Sequence, residues 1–307
     1  RHIADDKYGN LWVGTFMHGL YCIDNGGKIT SYTKENSCLY TNTITDLVYS
    51  SDHAMLYIGT STGLYELNTQ TRQLAPVKGN NNKVSLTKMH ISCLYRDRRG
   101  LLWIGTRHGV GIYDEKSRTL TRLSTNDGVS HPYIRGIVED HNKNMWFYIK
   151  GKGCYLYIPE SQLLYPLLFN THQLPEGDIT DIVECSKGIL LVYNTGRLVC
   201  LDTRTNEIKW QQDDLVGELG TDKQGIFTLF VDRDNDIWMY SPLGIWVYNP
   251  EQEKWLSWLT NIIKRRSHNM VRAVSQDKQG RIWIGTDQDG IDILDKKTGE
   301  VRQLRNK

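Results

Sequence analysis

Apolar and polar residues alternate along this chain in short runs, and the runs recur at a nearly fixed spacing. Each unit holds an alternating run, a polar turn, a run centred on an aromatic residue, and a Gly-led run ending mostly in Asp or Asn. A period of two indicates strands with one buried face. The central residues lie 43 to 47 positions apart, at Trp12, Tyr57, Trp103, Trp146, Leu191, Trp238 and Trp283.

A four-strand repeat of about this length is typical of a propeller blade. The pattern therefore predicts an all-β chain, a seven-bladed β-propeller with four-stranded antiparallel blades. We expect one domain over residues 1–307, with blades at about 1–34, 44–77, 91–123, 134–167, 179–212, 226–258 and 271–304.

Three positions of the repeat carry specific expectations. An Asp at the start of the first turn should cap backbone N–H groups, as in Asp97. The Trp of the second strand, as in Trp103, should fill the wedge between neighbouring blades. The mid-strand Gly, as in Gly105, should let another backbone or ring approach closely.

The four strands of a blade, A to D in chain order, divide its loops between two ends. The A–B and C–D turns are short and stereotyped, whereas the D–A connections are longer and all different. Variable loops on a rigid scaffold are where binding residues concentrate. We therefore expect any site at the end that combines D–A connections with B–C turns, over the central channel.

Composition excludes several classes of function. The net charge of +2 implies no bulk affinity for nucleic acid or an anionic membrane. There is no run of 18 apolar residues that would span a membrane. The six Cys lack metal-ligand spacing, and we expect no cofactor. The chain begins at Arg1, and we expect it to be a segment of a longer protein.

Cationic and aromatic residues gather at the predicted variable end. The second position of strand A holds Arg1, Arg135 and Arg272, which either pair with carboxylates in a hydrated channel or bind a carboxylate or sulfate of a ligand. Aromatic rings with cationic and amide neighbours suit a sugar, and the excess of basic residues favours an acidic one. The candidate ligand-binding residues are Arg1, His18, Tyr40, Arg107, His108, His131, Tyr133, Arg135, Lys150, Arg265, Arg266, His268, Arg272 and Asp287.

Two motifs with chemical potential have simpler interpretations. The alternating acids of Asp232 to Asp236 resemble a calcium loop, but the Gly and Glu of an EF-hand are missing and the segment falls at an A–B turn. We interpret it as a turn. No nucleophile, metalloprotease or phosphate-binding motif is present, so we predict no catalytic residues.

The pattern D-x-x-G-x-[LI]-W-[IV]-G-T-x-x-G-[LI]-x-x-[YL]-[DN] resembles the two-component regulator propeller repeat, most closely at residues 6–24, 97–114 and 277–295. The resemblance implies a periplasmic sensor region of a Bacteroides-type hybrid two-component histidine kinase. It also implies an oligosaccharide ligand, an adjoining propeller and an immunoglobulin-like module as partners, and a homodimer of the full sensor. Neither nucleic acid nor membrane is expected to contact this segment.

Other functions remain open at the level of sequence. The fifth unit lacks the Trp and the Gly-Thr, and it resembles a quinoprotein-type repeat; we expect drift there rather than a cofactor site. One alternative is a lyase or hydrolase resembling streptogramin-lyase-like propellers, with His18, His108, His131 or His268 as the base. Another is a scaffold that binds only protein.

Overall fold

The computed structural model describes residues 2–80, 86, 88–123, 133–149, 153–168, 174–213, 225–266, 271–277, 279–287 and 290–304. Among these residues, 28 strands form seven four-stranded sheets, and one helix is present. Each sheet pairs its strands in chain order, as A-B-C-D. The predicted fold class, an all-β seven-bladed β-propeller with antiparallel blades, is confirmed.

The chain separates into two compact units, and residues 1–150 with 154–165 form the first. The first two sheets contain β1 (His2–Asp5), β2 (Leu11–Gly14), β3 (Leu20–Ile23), β4 (Ile29–Tyr32), β5 (Ile44–Ser50), β6 (Met55–Thr60), β7 (Gly63–Asn68) and β8 (Leu74–Pro76). The next two contain β9 (Ile91–Arg96), β10 (Leu101–Thr106), β11 (Gly109–Asp114), β12 (Thr119–Arg122), β13 (Ile134–Glu139), β14 (Met145–Ile149), β15 (Gly153–Ile158) and β16 (Leu163–Leu168).

Residues 151–153 and 166–307 form the second unit. Its sheets contain β17 (Ile179–Cys185), β18 (Gly188–Tyr193), β19 (Leu198–Leu201), β20 (Ile208–Gln212), β21 (Thr228–Val231), β22 (Ile237–Ser241), β23 (Gly244–Asn249), β24 (Lys254–Trp255), β25 (Val271–Gln276), β26 (Ile282–Thr286), β27 (Ile291–Leu294) and β28 (Val301–Leu304). Helix α1 (Ser257–Arg266) lies in the sixth D–A connection. It packs Leu259 and Ile262 into the core of the sixth and seventh blades.

The Asp of the A–B turn does more than cap the backbone. Asp97 Oδ1 accepts the N–H groups of Arg99 and Leu101 at 3.0 and 2.9 Å, as predicted. Its Oδ2 accepts the indole Nε1–H of Trp103 at 2.9 Å, a bond that the sequence analysis missed. The same bond, at 2.8 to 2.9 Å, joins Asp6–Trp12, Asp140–Trp146, Asp232–Trp238 and Asp277–Trp283.

The Trp side chains fill space between consecutive blades, as predicted. Trp12 is fully buried in a cluster that includes Ile44 and Leu56 of the second blade. Trp103 packs against Phe147 of the fourth blade, with ring centroids 5.8 Å apart. These contacts assign Trp12 and Trp103 to the core; Trp146 and Trp238 are fully buried as well, whereas Trp283 is half-buried.

The mid-strand Gly makes room for a side chain of the next blade. A Cβ on Gly14 would lie 2.6 Å from Ile44 Cγ2, and one on Gly59 would lie 3.0 Å from Ile91 Cγ2. The predicted close approach is confirmed, although these neighbours are Ile side chains rather than a backbone or a ring. The Ile concerned is in each case the first residue of strand A in the following blade.

A β-bulge recurs at the predicted variable end of strand A. In five of the seven sheets, the second residue of this strand is an extra residue between two cross-strand pairs. A bulge turns a side chain away from the regular alternation of the strand. The bulged residues are Thr45, Ser92, Arg135, Thr180 and Arg272.

The acidic segment with calcium-like spacing is an A–B turn, as we interpreted it. The ammonium group of Lys296 lies among its carboxylates, at 2.6 Å from Asp232, 2.8 Å from Asp234 and 2.7 Å from Asp236. Lys296 follows strand C of the seventh blade, so this cluster ties the sixth blade to the seventh. A side-chain cation therefore balances part of the negative charge.

The fifth blade, which departs most from the repeat, is fully packed. Leu191 replaces the Trp and is completely buried. Its A–B hairpin is tighter, because Cys185 pairs directly with Gly188. The blade thus loses the Asp and the Trp together and keeps its core.

Candidate ligand-binding site

A cavity of about 530 Å³ opens among the loops of the second and third blades, in the first unit. We call it the basic cavity. The B–C turns of both blades and the D–A connection between them supply its walls, as expected for the variable end. Its lining residues are Ser61, Lys88, Met89, His90, Arg107 and His108.

Tyr133, just before strand A of the fourth blade, joins this cavity to a second arginine. The guanidinium carbons of Arg107 and Arg135 lie 5.5 and 5.6 Å from the centre of its ring. His90 meets the same ring edge-on, with centroids 6.1 Å apart at 89°. Arg135 is a bulged residue of β13, and its Nη1 donates to the Tyr133 hydroxyl at 3.5 Å.

Neither arginine has an acidic partner among the described residues. Within the part of the chain that the structure describes, no Asp or Glu forms an ion pair with Arg107 or Arg135. The equivalent bulged arginine of the seventh blade differs, because Arg272 forms a 2.8 Å ion pair with Asp287. A guanidinium with five N–H donors whose neighbours are neutral aromatic side chains retains donors for an incoming carboxylate, sulfate or phosphate.

His90 adds a titratable group to the basic cavity. Burial, reinforced by the charges of Arg107 and Arg135, lowers the pKa of His90 below its ordinary value of 6.5. Its Nδ1 is shielded from solvent and has no hydrogen-bond partner among the described residues. The imidazole is therefore neutral at pH 7, and an anion bound beside it would favour its protonation.

Lys88 is held in a strained backbone conformation at the cavity wall. Its φ is +63°, and its N–H donates to the Thr62 carbonyl at 2.9 Å. The eight other described residues, Gly aside, with positive φ all lie in A–B or C–D turns. Strain of this kind costs about 1–3 kcal/mol and persists where the surroundings fix it, often at functional sites.

The structure brings together four of the residues predicted for the site. Arg107 and His108 line the basic cavity, and Tyr133 and Arg135 adjoin it through the contacts above. The candidate residues predicted from the sequence did not include Ser61, Lys88, Met89 or His90. Their position in the sequence could have identified them, since all four lie in loops of the variable end.

The remaining predicted residues are separate from this cluster or outside the described part. His18 and Tyr40 are exposed on loops beside the first blade. Arg272 and Asp287 lie in the second unit and bind each other. Arg265 and Arg266 end helix α1, but their side chains are not described. Outside the described residues lie Arg1, His131, Lys150 and His268.

The described residues show neither a metal-binding cluster nor a membrane-spanning helix. They contain no group of three or more His, Cys, Asp or Glu side chains arranged to hold a metal ion. No helix among them is both long enough and apolar enough to cross a membrane.

Two segments of the chain, residues 85–108 and 266–288, match the family model described as two component regulator propeller. The first segment includes the third blade's side of the basic cavity. These matches confirm the resemblance predicted from the repeat. A search of curated proteins found no match.

Solved structures share the fold at low sequence identity. One is the extracellular domain of a putative hybrid two component system from B. thetaiotaomicron, with 15% identity over 99% of this chain and 54% of that chain, at a TM-score of 0.48. This chain thus spans about half of that domain. Another is catalytically inactive virginiamycin B lyase from Staphylococcus aureus with quinupristin. It has 14% identity over 94% of this chain and 92% of that chain, at a TM-score of 0.68. The computationally designed protein Ika8 has 14% identity over 98% of this chain and 85% of that chain, at a TM-score of 0.68.

Proposed function

We propose that this chain is a non-catalytic sensor propeller that binds an acidic oligosaccharide at the basic cavity. The matches to the two-component regulator propeller family support the sensor role. The observation that carries the ligand class is the pair Arg107 and Arg135, which share one tyrosine ring and have no described carboxylate partner.

An acidic sugar satisfies both kinds of group that the cavity offers. Its carboxylate or sulfate accepts charge-assisted hydrogen bonds from the guanidinium groups and from Lys88. Its hydroxyls bond to Ser61 and the histidines, while the Tyr133 ring and Met89 supply apolar surface. A neutral sugar would leave the arginines without a negative partner.

The proposal extends to the rest of the sensor. The chain would be periplasmic, adjoining a second propeller and an immunoglobulin-like module of the same polypeptide, in a homodimer that passes the signal to a histidine kinase. A ligand shifts such an equilibrium only by its difference in affinity for the two arrangements. The cavity loops are therefore expected to contact the ligand differently in the two signalling states.

Calorimetric titration of the full extracytoplasmic region tests the proposal. The ligands are two acidic series, oligogalacturonides and chondroitin sulfate oligosaccharides, with neutral oligosaccharides as a comparison. We expect binding in at least one acidic series and not in the neutral one. The double variant Arg107→Ala/Arg135→Ala should weaken it by about a hundredfold or more, since each lost charged hydrogen bond is worth about 1.5–3 kcal/mol.

Arg204→Ala is the matched control. Arg204 is 77% exposed in a C–D turn of the fifth blade, and its removal changes the net charge without touching the cavity. Binding of no acidic ligand, or equal loss in the control, would refute the proposed site. Formation of a cleavage product during the titrations would instead favour the lyase alternative.

A further inference from the structure

Three large side chains near the basic cavity are unusually exposed for their type. Phe16 and Met17, in the B–C turn of the first blade, are 55% and 67% exposed, and Tyr40, in the following D–A connection, is 70% exposed. We call these three residues the apolar shelf. Exposed apolar groups that cluster, rather than lie singly, mark a binding surface.

Backbone hydrogen bonds bring the parts of the shelf together. Gly19 N–H donates to the Asn42 carbonyl at 2.9 Å, and Ile44 N–H donates to the Thr15 carbonyl at 2.9 Å. The turn that carries Phe16 and Met17 is thus paired with the segment that follows Tyr40.

The same segment is bonded to the cavity. Ser61, a lining residue, donates its N–H to the Thr43 carbonyl at 3.3 Å, and its hydroxyl lies 3.3 Å from the Thr41 hydroxyl. On the far side of that turn, the Thr62 carbonyl accepts the N–H of Lys88. Shelf and cavity are therefore consecutive parts of one surface, joined through the turn at Ser61.

The backbone that carries Tyr40 is held in place within the protein itself. The N–H of Tyr40 donates to the hydroxyl of Tyr65 at 3.1 Å, and the Tyr65 ring is buried. Leu39, next to Tyr40, is 3% exposed and anchors the connection in the core. A surface that is already ordered loses little conformational freedom on binding.

We propose that the apolar shelf is a second subsite, which packs the ring face of a sugar unit in the same ligand whose acidic group occupies the basic cavity. This inference rests on the proposed function. Aromatic side chains with a polar tip suit a surface that is apolar on one side and hydrated on the other, and a sugar ring offers such a surface. The ligand is then an oligosaccharide long enough to reach both subsites, and the monosaccharide acid fills only one.

Chain-length dependence tests this subsite. In the acidic series that binds, from monosaccharide to tetrasaccharide, we expect Tyr40→Ala to weaken the tetrasaccharide about tenfold, a loss of about 1.4 kcal/mol. The same variant should leave the monosaccharide acid unchanged, whereas Arg107→Ala should weaken both. Phe16→Ala should repeat the Tyr40→Ala pattern.

The control and the outcomes separate the two proposals. Tyr8→Ala removes a 38% exposed tyrosine from the A–B turn of the first blade and should affect neither ligand. If the acids bind but Tyr40→Ala has the same effect at every chain length, or none, the shelf proposal is overturned alone. If no acid binds to the wild-type protein, the proposed function fails and the shelf with it. Unchanged thermal unfolding of each variant shows that the fold is intact.

Discussion

At the scale of single residues, the Asp and Trp of the repeat act as one unit. One carboxylate oxygen accepts hydrogen bonds from N–H groups of the turn, and the other accepts the indole N–H six positions later, as in Asp97 and Trp103. The two blades without the Trp also lack the Asp, because Ser51 and Cys185 stand six positions before Tyr57 and Leu191. This joint absence was visible in the sequence and was the signal for the missed bond.

Replacing one carboxylate tests this unit. Asp97→Asn should lower the free energy of unfolding by about 2 kcal/mol, because an amide cannot accept every bond that the carboxylate takes from the turn N–H groups, the Arg99 guanidinium and the buried indole of Trp103. Asp114→Asn is the control, since Asp114 caps only Lys116 and Ser117 in an exposed turn. Urea unfolding measures both variants; equal losses would show that the indole bond adds nothing.

His90 gives the site a predicted pH dependence. Burial and the charges of Arg107 and Arg135 lower the pKa of His90 in the free protein. A bound anion raises that pKa, so the complex holds more protons than the free protein and affinity rises as pH falls. Titrating an acidic oligosaccharide between about pH 8 and about pH 6 should show this increase.

The matched variants identify the titrating group. Lys88, Arg107, His108 and Tyr133 also border His90, but His90 alone among them has a buried, unpartnered ring nitrogen. His90→Gln should flatten the pH profile, and His141→Gln, in an A–B turn, should leave it unchanged. A profile that persists in His90→Gln would assign the effect to His108 or to the ligand.

At the scale of elements, consecutive blades fit through complementary sizes. In the first blades a Gly on strand B receives the first Ile of the next strand A, as Gly14 receives Ile44. In the fourth blade Tyr148 stands at the Gly position, and Gly136 of strand A provides the space instead. The fourth blade therefore accommodates its large residue within its own sheet, by a Gly directly opposite on strand A.

A pair of Gly→Ala variants tests this fit. Gly14→Ala should destabilise the protein by about 1–3 kcal/mol, because the new methyl group would overlap Ile44. Gly111→Ala adds the same group to a strand where its nearest neighbour is 3.6 Å away, and it should be tolerated. Thermal unfolding compares the two, and similar losses would show that overlap with Ile44 is not the cause.

Bulges decide which strand residues can join a site. The second residue of strand A was expected to line the channel, and in five sheets it is the bulged residue. In Arg135 the bulge presents a guanidinium to Tyr133, whereas Ser92 and Thr180 donate to backbone carbonyls of the next blade. A bulge depends on backbone register, so alternation along the sequence could not reveal it.

At the scale of the whole molecule, the fold could be predicted from the repeat because every unit carries the same pattern of buried and exposed positions. Period-two alternation, turn chemistry and the Gly and Trp positions all agreed on four-stranded blades. The site was only partly predictable, since its residues come from loops that share no pattern. Arg107, His108, Tyr133 and Arg135 were identified by chemical type, while Lys88 depended on a left-handed backbone that composition does not specify.

The bonds that join the variable loops have an evolutionary consequence. Gly19 to Asn42, Ile44 to Thr15 and Lys88 to Thr62 are all main-chain contacts, and Asn194 to Asp178 repeats the arrangement in the second unit. Because these bonds use only main-chain atoms, most loop side chains can change without breaking them; the exceptions are Gly19 and Lys88, which have positive φ. Point substitutions in the loops can therefore change ligand preference while the backbone of the binding surface stays the same.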